Sequence, residues 1–299
     1  MSLIETALAK LRSAGVTEAR SNAPLVRLEN VAATAAKAPV AVVAPAVEPE
    51  DPAKRITINL HALREMGYLP EQSLAQRFAD HFREIKRPLV EKALAGAADM
   101  RVITVTSALP GDGKTFITLN LALSMARERD AYVLLVDADA PKGNMSEILG
   151  VRTEPGLLDA LADHSVDVES LVVGTNVRGL QVLPVGKFVE SSTELLASAR
   201  MGQILARLAA RARRLVLFDS APLLVSSEAR ALTRIPGQIV LVARVGLTPR
   251  RAIADVLAQV DRSKLQGLVL NYVPFRPGHG YYYGYASYDA SAQDQARTP

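Results

Sequence analysis

Short apolar runs recur between residues 100 and 272, and helical patterns separate them. The runs cover 101–107, 132–137, 180–183, 214–219, 238–244 and 267–272. They are apolar almost throughout, which is typical of strands buried on both faces of a parallel sheet. Strands that alternate with helices indicate an α/β fold. We therefore expect a doubly wound, mainly parallel sheet within a domain spanning residues 55–275.

The stretch before this sheet, residues 55–99, is predicted to be mainly helical. Residues 56–60 alternate like a short strand, and Leu60–Met66 form a helical pattern that stops at Gly67. A longer helix is predicted over Gln72–Lys86, and Pro88 should kink or interrupt it because proline has no N–H. Its apolar face carries Leu74, Phe78, Phe82 and Ile85. The other face carries Arg77, Asp80, Arg83, Glu84, Lys86 and Arg87. A mixed-charge face is either simply solvated or pairs with a neighbouring subunit.

Two extensions flank the domain. Ser2 and Glu5 form a capping box that begins an amphipathic helix over residues 1–15. That helix either folds back on the domain or docks on a partner, and we favour docking. Residues 16–54, rich in Ala, Pro and Val from position 30 onward, are predicted to form a flexible tether. Residues 276–299 lack an apolar period and are predicted to form a flexible tail.

A phosphate-binding loop is predicted where the first buried strand ends. The segment Ala108–Thr115 reads ALPGDGKT, and an apolar helix follows it at once. Its two glycines allow a tight turn that directs backbone N–H groups at phosphate oxygens. Lys114 can reach the β- and γ-phosphates, and the Thr115 hydroxyl can hold Mg²⁺. Ala108 stands where the general motif has Gly, and a small residue can serve there. The predicted ATP-binding residues of the loop are Pro110, Gly111, Asp112, Gly113, Lys114, Thr115 and Phe116.

Acidic residues follow two of the other apolar runs. Asp137 and Asp139 come after Val133–Val136, and Asp219 follows Leu215–Phe218. The carboxyl ends of parallel strands share one edge of the sheet, where ligands bind. Mg²⁺ needs few carboxylates when phosphate and water complete its shell. We assign Asp219 as the metal-side acid, Asp137 as a metal partner or base, and Asp139 as the acid that polarises an attacking hydroxyl. A helix cap after a strand is the ordinary alternative for each.

Composition excludes several classes of function. There is no cysteine, which rules out disulfides, zinc thiolate sites and cysteine nucleophiles. The net charge of +4 is too diffuse to indicate nucleic acid. The start, Met1–Glu5, is acidic where a signal peptide needs a basic region, and the Ala-rich stretch at 31–47 is too polar and proline-rich to span a bilayer. We expect a soluble, intracellular chain without a direct membrane span.

Five of the eight tyrosines fall in the tail, and they are Tyr281, Tyr282, Tyr283, Tyr285 and Tyr288. A sticky low-complexity tail is one reading. A stacking surface for single-stranded nucleic acid is another, but the tail has few positive charges. We favour a third, in which the hydroxyls accept phosphoryl groups. Each phosphate would add about −1.5 to −2 charge and could drive subunits apart.

These motifs resemble a known family. The order TSALPGDGKTFITLNLA, VLLVDAD, VLFDSAPLL and a terminal tyrosine cluster is similar to the bacterial tyrosine kinases. The chain most resembles the autokinases encoded with exopolysaccharide and exosortase (PEP-CTERM) systems, on segments such as MSLIETALAKLRSAG and FREIKRPLVEKAL. The resemblance implies a P-loop kinase that uses ATP and Mg²⁺ to phosphorylate tail tyrosines of an adjacent subunit. It also implies a ring-type homo-oligomer, activated at the inner membrane by the cytoplasmic segment of a chain-length-determinant (co-polymerase) protein.

Several residues of this chain match functional positions of the family, and a few positions differ from its motifs. Lys114 and Thr115 match the residues that hold phosphate and Mg²⁺, Asp137 and Asp139 match the second Walker-type motif, and Asp219 matches the Walker B acid. A ring-forming Glu-x-x-Arg-x-x-Arg motif is represented here by Asp80, Arg83 and Lys86. Many relatives have arginines just after the second motif, where only Lys142 could supply the charge. Asn271 matches an asparagine near the adenine of related ATPases.

Two other functions remain open from the sequence. A switch ATPase of the partitioning or cell-division type shares the fold and the acids, but such proteins use a lysine early in the loop, where this chain has Leu109 and Pro110. They also lack a tyrosine tail and usually end in an amphipathic membrane helix, a pattern that we do not find in this sequence. The other candidate is a nucleotide-gated regulator of the polysaccharide machinery with no kinase activity.

Overall fold

A computed structural model describes residue 52 and residues 54–273 of the chain. The predicted docking helix, nearly all of the tether and the tyrosine tail lie outside the described residues. Eight strands of the described part form one sheet in the order β1-β4-β5-β3-β6-β2-β7-β8. The strands are β1 Arg55–Ile56, β2 Val102–Ser107, β3 Tyr132–Ala138, β4 Val173–Thr175, β5 Leu180–Leu183, β6 Arg214–Ser220, β7 Gln238–Arg244 and β8 Leu265–Asn271.

Helices connect these strands and cover both faces of the sheet. The α-helices are α1 Leu60–Glu65, α2 Ala75–Ala95, α3 Lys114–Met125, α4 Asn144–Ile148, α5 Leu157–Ala162, α6 Ser192–Leu196, α7 Ala199–Ala210, α8 Ser227–Leu232 and α9 Arg250–Leu257. Short 3-10 turns occupy Gln72–Leu74, Ala98–Arg101 and Val168–Leu171. The expected doubly wound, mainly parallel α/β fold is confirmed.

Alternate residues of each central strand enter different halves of the core. Ile103 and Leu217 face the side covered by α2 and α3, while Val216 and Phe218 face the side covered by α5 and α7. Farther along that second side, α8 and α9 cover Ile239 and Leu241. Burial on both faces explains why these strands are continuous apolar runs in the sequence.

Six of the strands were predicted correctly, one was missed, and one is shorter than predicted. The runs at 180–183 and 238–244 match β5 and β7 in both bounds, and the other four are shifted by one or two residues. Strand β4 was not predicted, and it pairs antiparallel with β5, so the sheet is mixed at that end. The predicted strand at 56–60 reduces to Arg55–Ile56, because Ile58 turns into the core and α1 begins at Leu60.

Of the two outcomes expected at Pro88, a kink or an interruption, the interruption is wrong, because α2 runs through that residue from Ala75 to Ala95. Proline removes one hydrogen bond of the helix ladder. Tertiary packing on both sides of that point outweighs the loss, since Phe82, Leu89 and Val90 are all buried in the core below α2.

The predicted face of Lys86 is also wrong. Asp80 and Arg83 are exposed and pair with each other, but Lys86 is buried. Its ammonium lies 2.6 Å from the Glu128 carboxylate and donates to the Ser124 carbonyl at 2.8 Å. Lys86 thus belongs to the contact between α2 and α3, and not to the charged outer face.

The described residues contain no helix that is both long enough and apolar enough to cross a bilayer.

Candidate functional site

The loop between β2 and α3 has the backbone of a phosphate cradle. Gly111 and Gly113 both lie in the left-handed region, with φ of +84° and +91°. Only glycine adopts such angles without strain, which explains both positions. Helix α3 begins at Lys114, so the first N–H groups of the helix, which have no partner within it, face the loop. Ala108 is fully buried and fits the turn without a glycine.

The loop is anchored from the side of β7 and β8. The Asp112 carboxylate accepts from the backbone N–H of Leu109 at 3.0 Å and from the Thr248 hydroxyl at 2.6 Å. The Asn271 amide donates to the Asp112 carbonyl at 3.0 Å. These bonds hold the cradle open in a fixed shape, which preorganises it for an anion.

The functional groups predicted from three separate motifs meet on the other side of the loop. The Lys114 ammonium lies 2.7 Å from the Asp139 carboxylate. The Thr115 hydroxyl donates to Asp219 Oδ2 at 2.8 Å, and the Thr118 hydroxyl lies 3.1 Å from Asp219 Oδ1. All of these residues are buried. A cation, a hydroxyl and carboxylates are therefore grouped at the positive end of α3.

Asp137 is held more tightly than its neighbours. Its Oδ2 accepts from both the backbone N–H and the hydroxyl of Ser146, each at 2.7 Å, and its Oδ1 accepts from the Asp139 N–H at 3.2 Å. The Ser146 hydroxyl in turn accepts from the Val185 N–H at 2.9 Å. Both carboxylate oxygens of Asp137 are thus already occupied within the chain.

Burial raises the pKa values of Asp137 and Asp219. Burial and then the charge of Asp219 raise the pKa of Asp137 to about 7, against the lowering effect of the bonds from Ser146 and Asp139. Burial also raises the pKa of Asp219, although Lys114 and Thr115 oppose it. Burial alone would lower the pKa of Lys114, but the nearby acids outweigh it and the pKa is raised. Lys114 is therefore a permanent cation at neutral pH.

The oxygen ligands at this site fit Mg²⁺. Thr115 and Asp219 provide a hydroxyl and a carboxylate 2.8 Å apart, and hard oxygen donors are what Mg²⁺ prefers. Among the described residues no group of three or more His, Cys, Asp or Glu side chains could enclose an ion. A bound Mg²⁺ would accordingly take the rest of its shell from phosphate oxygens and water.

The AAA_31 family model, described as an AAA domain, matches residues 100–263. That span is more than half of the chain and includes the loop and all three acids. The chain belongs to the AAA_31 family.

Sequence relatives of this AAA_31 chain include kinases. It is 33% identical over 195 residues to the tyrosine-protein kinase wzc of Salmonella typhimurium, an alignment that covers 64% of this chain and 27% of the relative. The chain thus spans about a quarter of the length of that curated relative.

Two solved structures of kinase domains have a similar fold. The kinase domain of the Escherichia coli tyrosine kinase ETK is 26% identical and has a TM-score of 0.61, with 75% of this chain and 97% of that chain covered. The BceF tyrosine kinase domain is 30% identical with a TM-score of 0.59, covering 73% and 88%. The resemblance to bacterial tyrosine kinases is confirmed, and this AAA_31 chain is their homologue.

Some predicted site residues lie outside the acid cluster. Asn271 contacts the loop backbone, Pro110 is exposed on the loop, and the ring of Phe116 packs on Phe78 and Phe82 of α2. Only the backbone of Phe116 therefore faces the cradle. The five tail tyrosines lie outside the described residues.

Three residues of the site were missed by sequence reasoning. Thr118 lies one helical turn after Lys114 and Thr115, and this spacing alone could have placed it on the same side of α3. Ser146 had no comparable signal, because the turn between β3 and α4 that brings it back to Asp137 nine residues earlier has no recognisable pattern. Thr248 had none either, because the fold brings it to Asp112 from a distant part of the chain.

Proposed function

We propose that this chain is an ATP-dependent protein-tyrosine autokinase that phosphorylates its own C-terminal cluster, Tyr281, Tyr282, Tyr283, Tyr285 and Tyr288, between subunits. The observation that carries the proposal is the buried grouping of Lys114, Thr115, Asp137, Asp139 and Asp219 at the start of α3. The homology of the chain to kinases favours phosphoryl transfer over ATP hydrolysis alone.

Each member of the grouping has a role in this reaction. Lys114 binds the β- and γ-phosphates, and Thr115 with Asp219 would hold Mg²⁺, which neutralises phosphate charge when bound. A phosphate competes with Asp139 for the Lys114 ammonium, so nucleotide binding turns the Asp139 carboxylate toward the acceptor. The tyrosine oxygen attacks the γ-phosphorus, the bond to the β-phosphate oxygen breaks, and ADP leaves. The hydroxyl proton passes to Asp139.

Asp137 has a positioning role in the proposed reaction. Because Ser146 and the Asp139 N–H already bond to its two oxygens, it would help to hold Mg²⁺ through water, and it fixes the backbone of Asp139. This arrangement keeps the acceptor-side acid oriented, and phosphoryl transfer depends mainly on such positioning.

The proposal includes an assembly. Transfer between subunits requires that two copies meet, and we propose a ring-type homo-oligomer in which the exposed Asp80 and Arg83 of α2 form the contacts. Lys86 is not included, since its charge is used inside the chain. We further propose that the chain acts in exopolysaccharide polymerisation and export. In this role it is cytoplasmic and recruited to the inner membrane by the cytoplasmic segment of a co-polymerase.

Mass spectrometry after incubation with Mg-ATP tests the activity. Phosphate should appear on Tyr281–Tyr288 of the wild-type chain and be absent from Lys114→Met, because the γ-phosphate loses its cation. Lys264→Met is the matched control, since Lys264 lies just before β8 and its ammonium donates to the Arg234 carbonyl at 2.6 Å, away from the phosphate loop. Adding the partner's cytoplasmic segment should increase the label.

A second variant tests the acceptors. Replacing the five tail tyrosines by Phe should remove most of the label and leave ATP binding unchanged. ATP hydrolysis with an unlabelled tail, with or without the partner segment, would contradict the kinase proposal and favour a switch ATPase or a regulator.

A further inference from the structure

An exposed aromatic side chain lies beside the phosphate loop, on the side away from the acids. Tyr272 follows β8, has a φ of +57° and is 58% exposed. A bulky residue rarely adopts the left-handed region, and such strain concentrates at functional sites. The guanidinium of Arg244, the last residue of β7, lies 4.0 Å from the centre of its ring. This is a cation–π contact, and it fixes the plane of the ring.

The pair is tied to the loop by hydrogen bonds. The Tyr272 N–H donates to the Asn271 side-chain oxygen at 2.9 Å, while the other end of that amide donates to Asp112. The Arg244 N–H donates to the Thr248 hydroxyl at 2.8 Å, and this hydroxyl bonds to the Asp112 carboxylate. A Cβ placed on Gly113 would lie 3.6 Å from Cε2 of Tyr272. The ring is therefore held against the loop itself.

Sheet order shows which part of a nucleotide comes near this ring. Strand β2, which leads into the loop, lies between β6 and β7. The acids lie at the carboxyl ends of β3 and β6 on one side, whereas Arg244 and Tyr272 lie at the carboxyl ends of β7 and β8 on the other. A triphosphate in the loop with its γ-phosphate toward the acids extends its nucleoside toward β7 and β8.

We propose that Tyr272, oriented by Arg244, is the stacking surface for the base of the bound nucleotide. This assignment rests on the proposed function, because it concerns the nucleotide that the kinase would use. Burial does not explain a strained, exposed aromatic residue at this position, whereas contact with a flat ligand does. Stacking tolerates any base, so the residue sets affinity for nucleoside di- and triphosphates as a class.

Titration calorimetry of the full chain in Mg²⁺ tests this with two probes, ADP and inorganic tripolyphosphate, which lacks the base. Tyr272→Ala should weaken ADP binding about 10-fold and leave tripolyphosphate binding unchanged. Tyr272→Phe keeps the ring and should retain ADP affinity. Val273→Ala, a truncation of the equally exposed neighbouring residue, should affect neither probe.

Two results would overturn the stacking assignment. One is unchanged ADP affinity in Tyr272→Ala, and the other is an equal loss for ADP and tripolyphosphate, which would show that the residue only shapes the loop. Thermal unfolding of each variant establishes that it is folded. A wild-type chain that binds neither probe would overturn this assignment together with the proposed function. Normal ADP stacking with an unlabelled tail would overturn the kinase proposal alone.

Discussion

Gly113 joins two constraints at one residue of the phosphate loop. Its φ of +91° disfavours any side chain, and a Cβ on it would overlap the Asn271 amide. Gly111 has a similar φ of +84°, but a Cβ there would meet nothing within 4 Å. A substitution at Gly111 therefore introduces backbone strain alone, whereas one at Gly113 introduces both strain and steric overlap.

We predict that Gly111→Ala lowers the free energy of unfolding by about 1 kcal/mol, from left-handed strain alone. Gly113→Ala should cost more, about 3 kcal/mol, because the Asn271 amide must also move away from the Asp112 carbonyl. Urea unfolding of both variants measures the difference. Equal losses would mean that Asn271 gives way freely and does not brace the loop.

The raised pKa of Asp137 predicts the pH dependence of stability in the absence of Mg²⁺ and nucleotide. Between its unfolded value near 3.8 and its folded value of about 7, the folded chain holds a proton that the unfolded chain has released. Stability from this group is therefore lost as pH rises through that window, by about 1 kcal/mol per pH unit. Unfolding curves at several pH values should show a flatter slope for Asp137→Asn than for the wild type. Parallel slopes would contradict the assignment.

At the scale of single residues, the sequence predicted which side chains form the site better than it predicted which residues contact them. The types of Lys114, Thr115 and the three acids follow from the loop pattern and the strand ends. The partners that orient them do not, because Ser146 and Thr248 reach the site only through tertiary folding. Lys86 is a different case. We predicted it on the charged face, although its spacing from Phe82 and Leu89 is that of one helical face and is the signal that would have placed it among apolar residues.

Among the elements, the contact between α2 and α3 has the most direct bearing on the site. The ring of Phe116, next to Thr115, packs on Phe78 with centroids 6.1 Å apart and on Phe82 at 6.5 Å. The Asn120 amide donates to the Tyr68 carbonyl at 2.8 Å. Lys86 contacts Ser124 at the far end of the same helix and Glu128 just beyond that end. The helix that begins at the phosphate loop is therefore held along its length by the segment before β2.

Lys86→Met tests the polar part of this contact. We expect a loss of about 2 kcal/mol in the free energy of unfolding, because the Glu128 carboxylate and the end of α3 lose their cation. Arg87→Met is the matched control, since its pair with Glu91 is exposed and should contribute less than about 1 kcal/mol. Denaturant unfolding of both variants gives the comparison. Equal losses would show that the buried pair contributes no more than a surface pair.

Element prediction succeeded where burial was two-sided. Apolar runs such as those of β3 and β7 contain enough information to locate central strands. Strand β4 is three residues long and contains Gly174, so no periodicity distinguishes it from a loop. The course of α2 through Pro88 could not be read locally either, because packing against α3 and the sheet decides it.

For the whole molecule, the proposed assembly is tested by reversing one charge of the Asp80 and Arg83 pair. The variant Arg83→Glu makes both positions acidic in every subunit, so a contact that pairs Asp80 of one subunit with Arg83 of the next loses its attraction. Sedimentation velocity should show smaller oligomers than the wild type because like charges then meet across the contact. Arg251→Glu, on the exposed side of α9, makes the same change of charge and is the control. An unchanged oligomer size in Arg83→Glu would rule out this part of α2 as the contact.

The packing of α2 on α3 also bears on how this domain can be cut and recombined. The stretch that defines the family begins at residue 100, after α2 has ended. A fragment trimmed to that stretch would leave Leu119, Leu121 and Phe116 without part of their cover and would also lack β8. The stretch that the family model matches is thus smaller than the packed unit formed by residues 55–271. A chimera built from this chain therefore has to begin near Arg55, so that it includes α2.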